Sequence, residues 1–332
     1  MRPKIAILGV TSWGLGLALV LARGGRDVLL LAREDGEAEA LAVCRPHPRL
    51  RGARLPATVL VRSLARADLS GVRVVIVAAP AQRLRENARR LAPLLGSKTV
   101  LVSASKGLEQ GSGRRMTEVL AEETGRRGVA ALSGPNLVAE LVAGLPAAAV
   151  LACVVPALGA ELQGLLSTPQ LRLYTSQDVV GVELGGALKN VIALAAGLSD
   201  GLGCGDNAKA ALVTRGLTEI VRLGVALGAE PLTFAGLSGL GDLIATCASP
   251  LSRNHRAGRL LAAGRSPAEA EAEIGEVIEG IACTAAARTL AARHGISMPI
   301  TEQLYQVLYE GLPPRVAADV LMLRDLTKEP PV

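Results

Sequence analysis

The sequence predicts an α/β protein in which a doubly wound parallel sheet fills the N-terminal half and an all-α C-terminal domain follows. Three observations predict it. Short, continuous Val/Ile/Leu runs alternate with helical segments as far as Val155. A glycine-rich turn, Gly9-Val10-Thr11-Ser12-Trp13-Gly14, joins the first of these runs to the first helix. Beyond Thr175 no strand of comparable quality follows, and long helical segments with small residues take over. Unbroken apolar runs separated by helices are what the strands of a parallel sheet covered on both faces require.

In chain order, Lys4–Leu8 reads as a strand, followed by the glycine turn and a helix from about Gly14 to Arg23. Asp27–Ala32 is the next strand, and Arg73–Ala79 another, closed by Pro80. A helix with Arg83, Arg85, Glu86, Arg89 and Arg90 on its wet side leads to a strand at Thr99–Ser103. Val129–Ser133 is a further strand, ending at Gly134-Pro135. Leu141–Ala160 carries no charge over 20 positions, about the length of a bilayer span. Gly144, Pro146, Pro156 and Gly159 cut it, however, into a helix end, a turn, a strand at Ala148–Val155 and the start of another helix, so no membrane span is expected. Helices then follow at Asp178–Leu198 and Asn207–Leu227 and, after a glycine-rich break at Gly236–Gly241, at Asn254–Ala263, Pro267–Glu273, Glu279–His294, Ile300–Glu310 and Pro314–Leu323. The expected division is a dinucleotide-binding domain over 1–177 and a helical substrate domain over 178–332, with the cleft between them as the natural site.

Composition bounds the partners. The 332 residues are 50% hydrophobic and 20% charged, which excludes a disordered, collagenous or disulfide-scaffold chain. Five aromatics (Trp13, Phe234, Tyr174, Tyr305, Tyr309) leave nothing to stack bases, and the arginines are scattered although the net charge is +6, so nucleic acid is not an expected partner. Lysine supplies six of the 36 basic residues, which draws attention to the lysines that remain. The cysteines (Cys44, Cys153, Cys204, Cys247, Cys283) form no C-x-x-C pair, so neither a disulfide framework nor a metal site is expected. The N-terminus lacks the order of a signal peptide, which predicts a cytoplasmic protein.

The turn at Gly9–Gly14 lies between a strand and a helix, the setting of a Rossmann-like dinucleotide fingerprint. Gly9 permits the tight turn, Gly14 permits close helix–strand packing, and the helix N-terminus offers N–H groups to a pyrophosphate. Thr11 stands where the fingerprint has its second glycine; its Cβ either crowds the pyrophosphate or its hydroxyl donates to it. After the second strand comes Arg33, ahead of Glu34-Asp35. An arginine there suits a 2′-phosphate, which favours NADPH over NADH.

Ser103-Ala104-Ser105-Lys106-Gly107-Leu108-Glu109 follows another strand and brings Lys106 to the same carboxyl edge as Gly9, where open parallel sheets bind ligands. Lys189 begins an otherwise apolar stretch, Val191–Leu198. There it is either a snorkelling lysine at a domain surface or a buried amine with a depressed pKa. Gly239-Leu240-Gly241-Asp242 supplies a loop acid. Ser252, Arg253 and Asn254 at a helix start form either an ordinary N-cap or a phosphate cradle.

Together these residues resemble the bacterial-type NAD(P)-dependent glycerol-3-phosphate dehydrogenases. The resemblance rests on VGVELGGALKNVIALA at 180–195, GLSDGLGCGDNAKAA at 197–211, Thr214-Arg215-Gly216, FAGLSGLGDLIA at 234–245 and SPLSRN at 249–254, with SASKGLE at 103–109, SGPN at 133–136 and MPITEQLYQVLYEG at 298–311. It covers nearly the whole chain. It implies interconversion of dihydroxyacetone phosphate and sn-glycerol 3-phosphate for glycerophospholipid synthesis, by a homodimer. By motif position it implies that Lys189 is the proton donor and acceptor, and that Lys106 contacts substrate near the nicotinamide. Gly134, Asn136, Asp242, Ser252, Arg253 and Asn254 become further substrate contacts. Ser12, Trp13, Arg33, Val138, Arg253, Val277 and Glu279 join Gly9, Thr11, Gly14 and Lys106 on the cofactor side. The chain departs from the family at Thr11, at Asn136 where serine is usual, and around His47–Gly52, where Arg49 and Leu50 stand in place of an aromatic.

The chemistry follows from the residue types. Charge that develops on a ketone oxygen during hydride transfer calls for an ammonium such as Lys189 to stabilise it and deliver a proton, with Lys106 adding field. Two other readings use the same residues. One is a related NADPH-dependent reductase of a non-phosphorylated keto acid, ketopantoate reductase-like, which would not need the cradle at Ser252–Asn254. The other is a non-catalytic NADPH-binding sensor, admitted by Thr11.

Overall fold

The computed structural model describes residues 4–43, 47–50 and 53–324; Cys44, Gly52 and Lys328 lie outside them. The first half alternates β1 (Ile5–Leu8), α1 (Ser12–Arg23), β2 (Val28–Ala32), α2 (Asp35–Val43), β3 (Val59–Ser63), β4 (Val74–Val77), α3 (Leu84–Leu91), β5 (Val100–Ser103), α4 (Met116–Thr124) and β6 (Ala130–Ser133). It closes with α5 (Val138–Val142), β7 (Ala147–Ala152), α6 (Pro156–Leu166) and β8 (Leu171–Ser176). The helical half contains α7 (Val179–Gly201), α8 (Gly205–Ala226), α9 (Asp242–Ala248), α10 (Arg253–Ala262), α11 (Pro267–Ile274), α12 (Glu279–Arg293), α13 (Pro299–Tyr309) and α14 (Pro314–Met322).

The eight strands form one sheet in the order β3-β2-β1-β4-β5-β6-β7-β8. β1 through β6 run parallel, with Ile5 opposite Val28 on one side and Val74 on the other. The sheet is not parallel throughout: β7 runs antiparallel to β6, and β8 follows β7. The turn after β6 therefore meets the start of β7. Gly134 has φ +149°, and a Cβ on it would lie 2.8 Å from the Cα of Ala149, so the turn closes only with glycine. The unbroken strands β1, β2 and β4 are wholly buried, between one apolar layer containing Leu15, Leu19 and Leu162 and another containing Leu84, Leu91 and Val119.

α7 is the axis of the helical half. It is the one helix among the described residues long and apolar enough to cross a membrane, and 83% of its apolar window is buried inside the protein. The uncharged stretch 141–160 divides among α5, β7 and α6. α10 lies directly on α7, backbone against backbone: a Cβ on Gly197 would fall 1.9 Å from the carbonyl oxygen of His255, and one on Gly258 2.1 Å from that of Leu194. This contact brings the start of α10 beside Lys189.

A buried carboxylate ties α7 to the sheet half. Glu183 accepts hydrogen bonds from the backbone N–H (2.8 Å) and hydroxyl (2.5 Å) of Thr117 and from Arg115 Nη1 at 2.8 Å. Burial pushes its carboxyl pKa up, and the Arg115 guanidinium pulls against that. Glu183→Ala removes every acceptor at once and strands the buried N–H and hydroxyl of Thr117, while of its ion pairs Arg115 keeps only that with Glu118. It should cost about 3 kcal/mol, measured as a lower urea midpoint at unchanged slope.

Candidate active site

The carboxyl ends of β1, β4, β5 and β6 open onto a cleft whose far wall is α7, α9, α10 and the loop before α12. Its lining includes Thr11, Ser12, Trp13, Arg49, Lys106, Asn136, Val138, Lys189, Arg253, Val277 and Glu279. β1 is flanked by β2 and β4, so the chain crosses from one half of the sheet to the other at this edge, the topological switch point at which open α/β sheets bind ligands.

The turn after β1 fits a dinucleotide. Gly9 has φ +126°, and a Cβ there would come within 2.6 Å of the carbonyl oxygen of Ala78. A Cβ on Gly14 would lie 2.1 Å from Gly9 O. The N–H groups of Ser12 and Trp13 belong to the first turn of α1, which has no intrahelical acceptors for them. Thr11 has its hydroxyl turned away from the course in which it donates to a pyrophosphate. It is the N-cap of α1: its Oγ1 accepts from Gly14 N at 3.0 Å and donates to Ala78 O at 2.8 Å. The hydroxyl proton that would have served a pyrophosphate is already committed, and the side chain points back at the sheet. Trp13 donates its indole N–H to Ala104 O at 3.0 Å, with Lys106 Nζ 6.0 Å from its ring centre.

Two lysines share one carboxylate. Lys189 Nζ donates to Asp242 Oδ1 and to Thr246 Oγ1, each at 2.6 Å, and Lys106 Nζ donates to Asp242 Oδ2 at 2.6 Å and to Gly134 O at 2.7 Å. Lys189 is 7% exposed, Asp242 1%, so Lys189 does not snorkel. Burial is the largest influence on Lys189 and pushes its ammonium pKa down to about 8; Asp242 opposes the shift and Lys106 adds to it. Burial acts to raise Asp242, but the two ammonium groups outweigh it and hold the carboxyl below its ordinary range. Asp242 is the first residue of α9 rather than a loop acid. The short π-helical turn Leu237–Gly241 leads straight into that helix, and the glycines around Asp242 mask the helix in the sequence.

A chain of side-chain amides holds this centre to the helical half. Asn190 Nδ2 donates to Lys106 O (3.1 Å), Asn254 Nδ2 donates to Asn190 Oδ1 (2.9 Å), and Asn254 Oδ1 accepts from Gly280 N (2.9 Å). Ser252 is the N-cap of α10, accepting from His255 N at 3.2 Å. The capping function read as the bland alternative for Ser252 is therefore present, while Leu251, Ser252, Arg253 and Asn254 together line the cleft. Asn136 Nδ2 donates to Ala148 O at 3.1 Å, and its buried Oδ1 has no partner among the described residues.

On the cofactor side Glu279 opens α12 and accepts from Ala81 N at 3.0 Å, and burial pushes its carboxyl pKa up. Val138 packs on α1 beside Gly16. The exposed Val277 presents its carbonyl to Arg253 Nη1 at 3.1 Å. Arg33 stands apart from the cleft lining, at the end of β2 beside Glu34 (3.4 Å). Leu50 is fully buried in the core, and Arg49 alone of that pair reaches the cleft, bonding Val10 O.

Thr246 and Glu276 escaped the sequence reading. Thr246 sits one helical turn after Asp242, a spacing that marks it once Asp242 is known to be helical. Glu276 lies in a loop among other glutamates, and nothing local distinguishes it.

The family model described as the NAD-dependent glycerol-3-phosphate dehydrogenase N-terminus matches residues 4–158, and the C-terminal model of that family matches 178–319. The chain is 48% identical over 330 residues to a glycerol-3-phosphate dehydrogenase [NAD(P)+] of Moorella thermoacetica, covering 99% of this chain and 98% of that one. It is 46% identical to the protein of that name from Streptomyces avermitilis, covering 98% of each. The crystal structure of glycerol-3-phosphate dehydrogenase from Coxiella burnetii superposes with a TM-score of 0.93 at 40% identity, covering 97% of this chain and 99% of that one.

Proposed function

The chain belongs to the NAD-dependent glycerol-3-phosphate dehydrogenase family, and from that premise we propose how its residues perform the reaction. It is an NAD(P)-dependent oxidoreductase that interconverts dihydroxyacetone phosphate and sn-glycerol 3-phosphate. The observation that carries the role assignment is the Lys189–Asp242–Lys106 cluster, a buried amine with a depressed pKa at the mouth of a dinucleotide fold.

Bound NAD(P)H supplies the hydride. Lys189, held by Asp242 and Thr246, gives its proton to the substrate oxygen as charge grows there, and takes it back in the reverse direction. Lys106 adds a second positive charge and orients the carbonyl from the sheet side. Arg253, Asn254 and the N–H groups at the start of α10 grip the phosphate, so that binding energy remote from the reacting carbon holds that carbon in place. Asn136 lines the cleft on the sheet side, where it contacts the substrate. Ser252 acts as the cap that orients this helix start. Ser12, Trp13, Val138, Val277 and Glu279 flank the dinucleotide with Gly9 and Gly14. The cradle at Ser252–Asn254 favours a phosphorylated substrate over a keto acid without phosphate.

The division into a cofactor domain over 1–177 and a substrate domain over 178–332, a cytoplasmic setting and a role in glycerophospholipid synthesis complete the proposal. So does a homodimer, which would cover the exposed Val316, Val320, Met322 and Leu323 of the α14 region.

The test is the oxidation of NADPH and NADH in parallel with dihydroxyacetone phosphate, followed at 340 nm. Rapid oxidation is expected, with NADPH favoured. Arg33→Ser should lower the NADPH-to-NADH ratio of kcat/KM by about tenfold, the size of a lost contact between an arginine and a charged group. A folded protein that binds NADPH yet oxidises neither cofactor would remove the activity assigned to this site.

A further inference from the structure

Glu276 has no part in the chemistry above, yet its carboxylate bridges the two walls of the cleft. Its Oε2 accepts from Ser12 Oγ at 2.5 Å and from Arg253 Nη1 at 3.3 Å. Ser12 opens α1, whose first turn presents the N–H groups that receive a dinucleotide's phosphates; Arg253 opens α10. One carboxylate therefore engages the phosphate-loop helix and a cleft arginine together. The loop that carries it is held at both sides. Gly275 ends α11 in the left-handed conformation at φ +73°, and Ile278, itself buried, donates its N–H to Glu271 Oε1 at 3.2 Å. Glu276 is thereby aimed across the cleft.

A helix N-terminus attracts whichever anion reaches it. We propose that Glu276 is an internal competitor for the cofactor's phosphates: a carboxylate that holds the Ser12 hydroxyl at the start of α1, braced by the Arg253 guanidinium, until a dinucleotide displaces it. This rests on the cofactor reading of the cleft. The bridge must open before the cofactor's phosphates can reach Ser12 and the start of α1, so the apparent affinity is the intrinsic affinity reduced by the fraction of molecules already open. Glu276 thus sets how tightly the cofactor is held, and holds it loosely enough for release after turnover.

The test uses equilibrium binding, with Trp13, the chain's one tryptophan and part of the cleft lining, as the fluorescent reporter. Wild type, Glu276→Ala and Glu276→Gln are titrated with NADPH and with ADP-ribose, which shares the pyrophosphate but lacks the nicotinamide. Both variants should bind both ligands about three- to tenfold more tightly, the combined weight of a charge at a helix N-terminus and a part-exposed ion pair. Unchanged or weaker binding in Glu276→Ala would make the carboxylate a support for the closed cleft and overturn the proposal. Tightening in Glu276→Ala alone would overturn competition by charge, because glutamine keeps the shape without the anion. These titrations do not depend on turnover. If the wild-type protein binds NADPH but fails to reduce dihydroxyacetone phosphate, the substrate assignment fails and the role of Glu276 is still decided.

Discussion

Lys189→Ala is expected to lower kcat for dihydroxyacetone phosphate reduction by about three orders of magnitude, within the range that a positioned general acid contributes, while NADPH still quenches Trp13. The separation follows from place. Lys189 is the buried ammonium bonded to Asp242 and Thr246, whereas the fluorophore reports on the phosphate-loop side. The pH dependence gives a second, independent check. Reduction consumes the ammonium form, and burial has pushed the pKa of Lys189 down to about 8. The rate of reduction should therefore be full below that value and fall as pH rises through it. Oxidation of glycerol 3-phosphate needs the neutral amine and should rise through the same value. Loss of NADPH binding in Lys189→Ala with turnover intact in what still binds would overturn the assignment.

Asp242→Asn should have the next largest effect, and in a diagnostic direction. The variant keeps the shape but removes the negative charge between two ammonium groups that bond its two oxygens at 2.6 Å each. Burial and Lys106 then act on Lys189 without their main opposing influence, so its pKa falls further. An opposite charge at this range moves a pKa by about 1–3 units, and the alkaline limb of the reduction profile should shift to lower pH by an amount in that range. At pH 8 this leaves most of Lys189 unprotonated, and kcat should drop by about ten- to a hundredfold, a loss partly recovered by assaying at lower pH. A merely structural role for Asp242 would lower activity equally at every pH, so the shape of the profile separates the two.

Much of this architecture was legible in the sequence because it is locally encoded. The central strands are buried on both faces and appear as unbroken apolar runs; the helix limits carry Gly, Pro and capping residues within a turn of the boundary. The two edge strands were not legible for the converse reason. β3 and β8 alternate buried with exposed residues, Val59 and Val61 with Leu60 and Arg62, Leu171 and Leu173 with Arg172 and Tyr174. Short alternating segments containing arginine do not stand out from loop. The antiparallel turn of β7 leaves no local trace either, since strand direction depends on the path of the connection. α9 was hidden by the glycines that precede it.

By itself, then, the sequence determined the elements whose signal lies within a few residues, the glycine turn after β1, and which lysines, acid and helix start are proposed to do the chemistry. The tertiary structure alone decided what those groups do to one another. Lys106 and Asp242 are 136 residues apart and Lys189 and Asp242 are 53 apart, and only the fold places one carboxylate between both amines in a buried setting that depresses a pKa. The same holds for Thr11, whose hydroxyl is spent on Ala78, and for Glu276, which meets Ser12 across 264 residues. Hydrogen bonding and desolvation act over a few ångströms of space, and separation along the chain does not record which groups will lie that close.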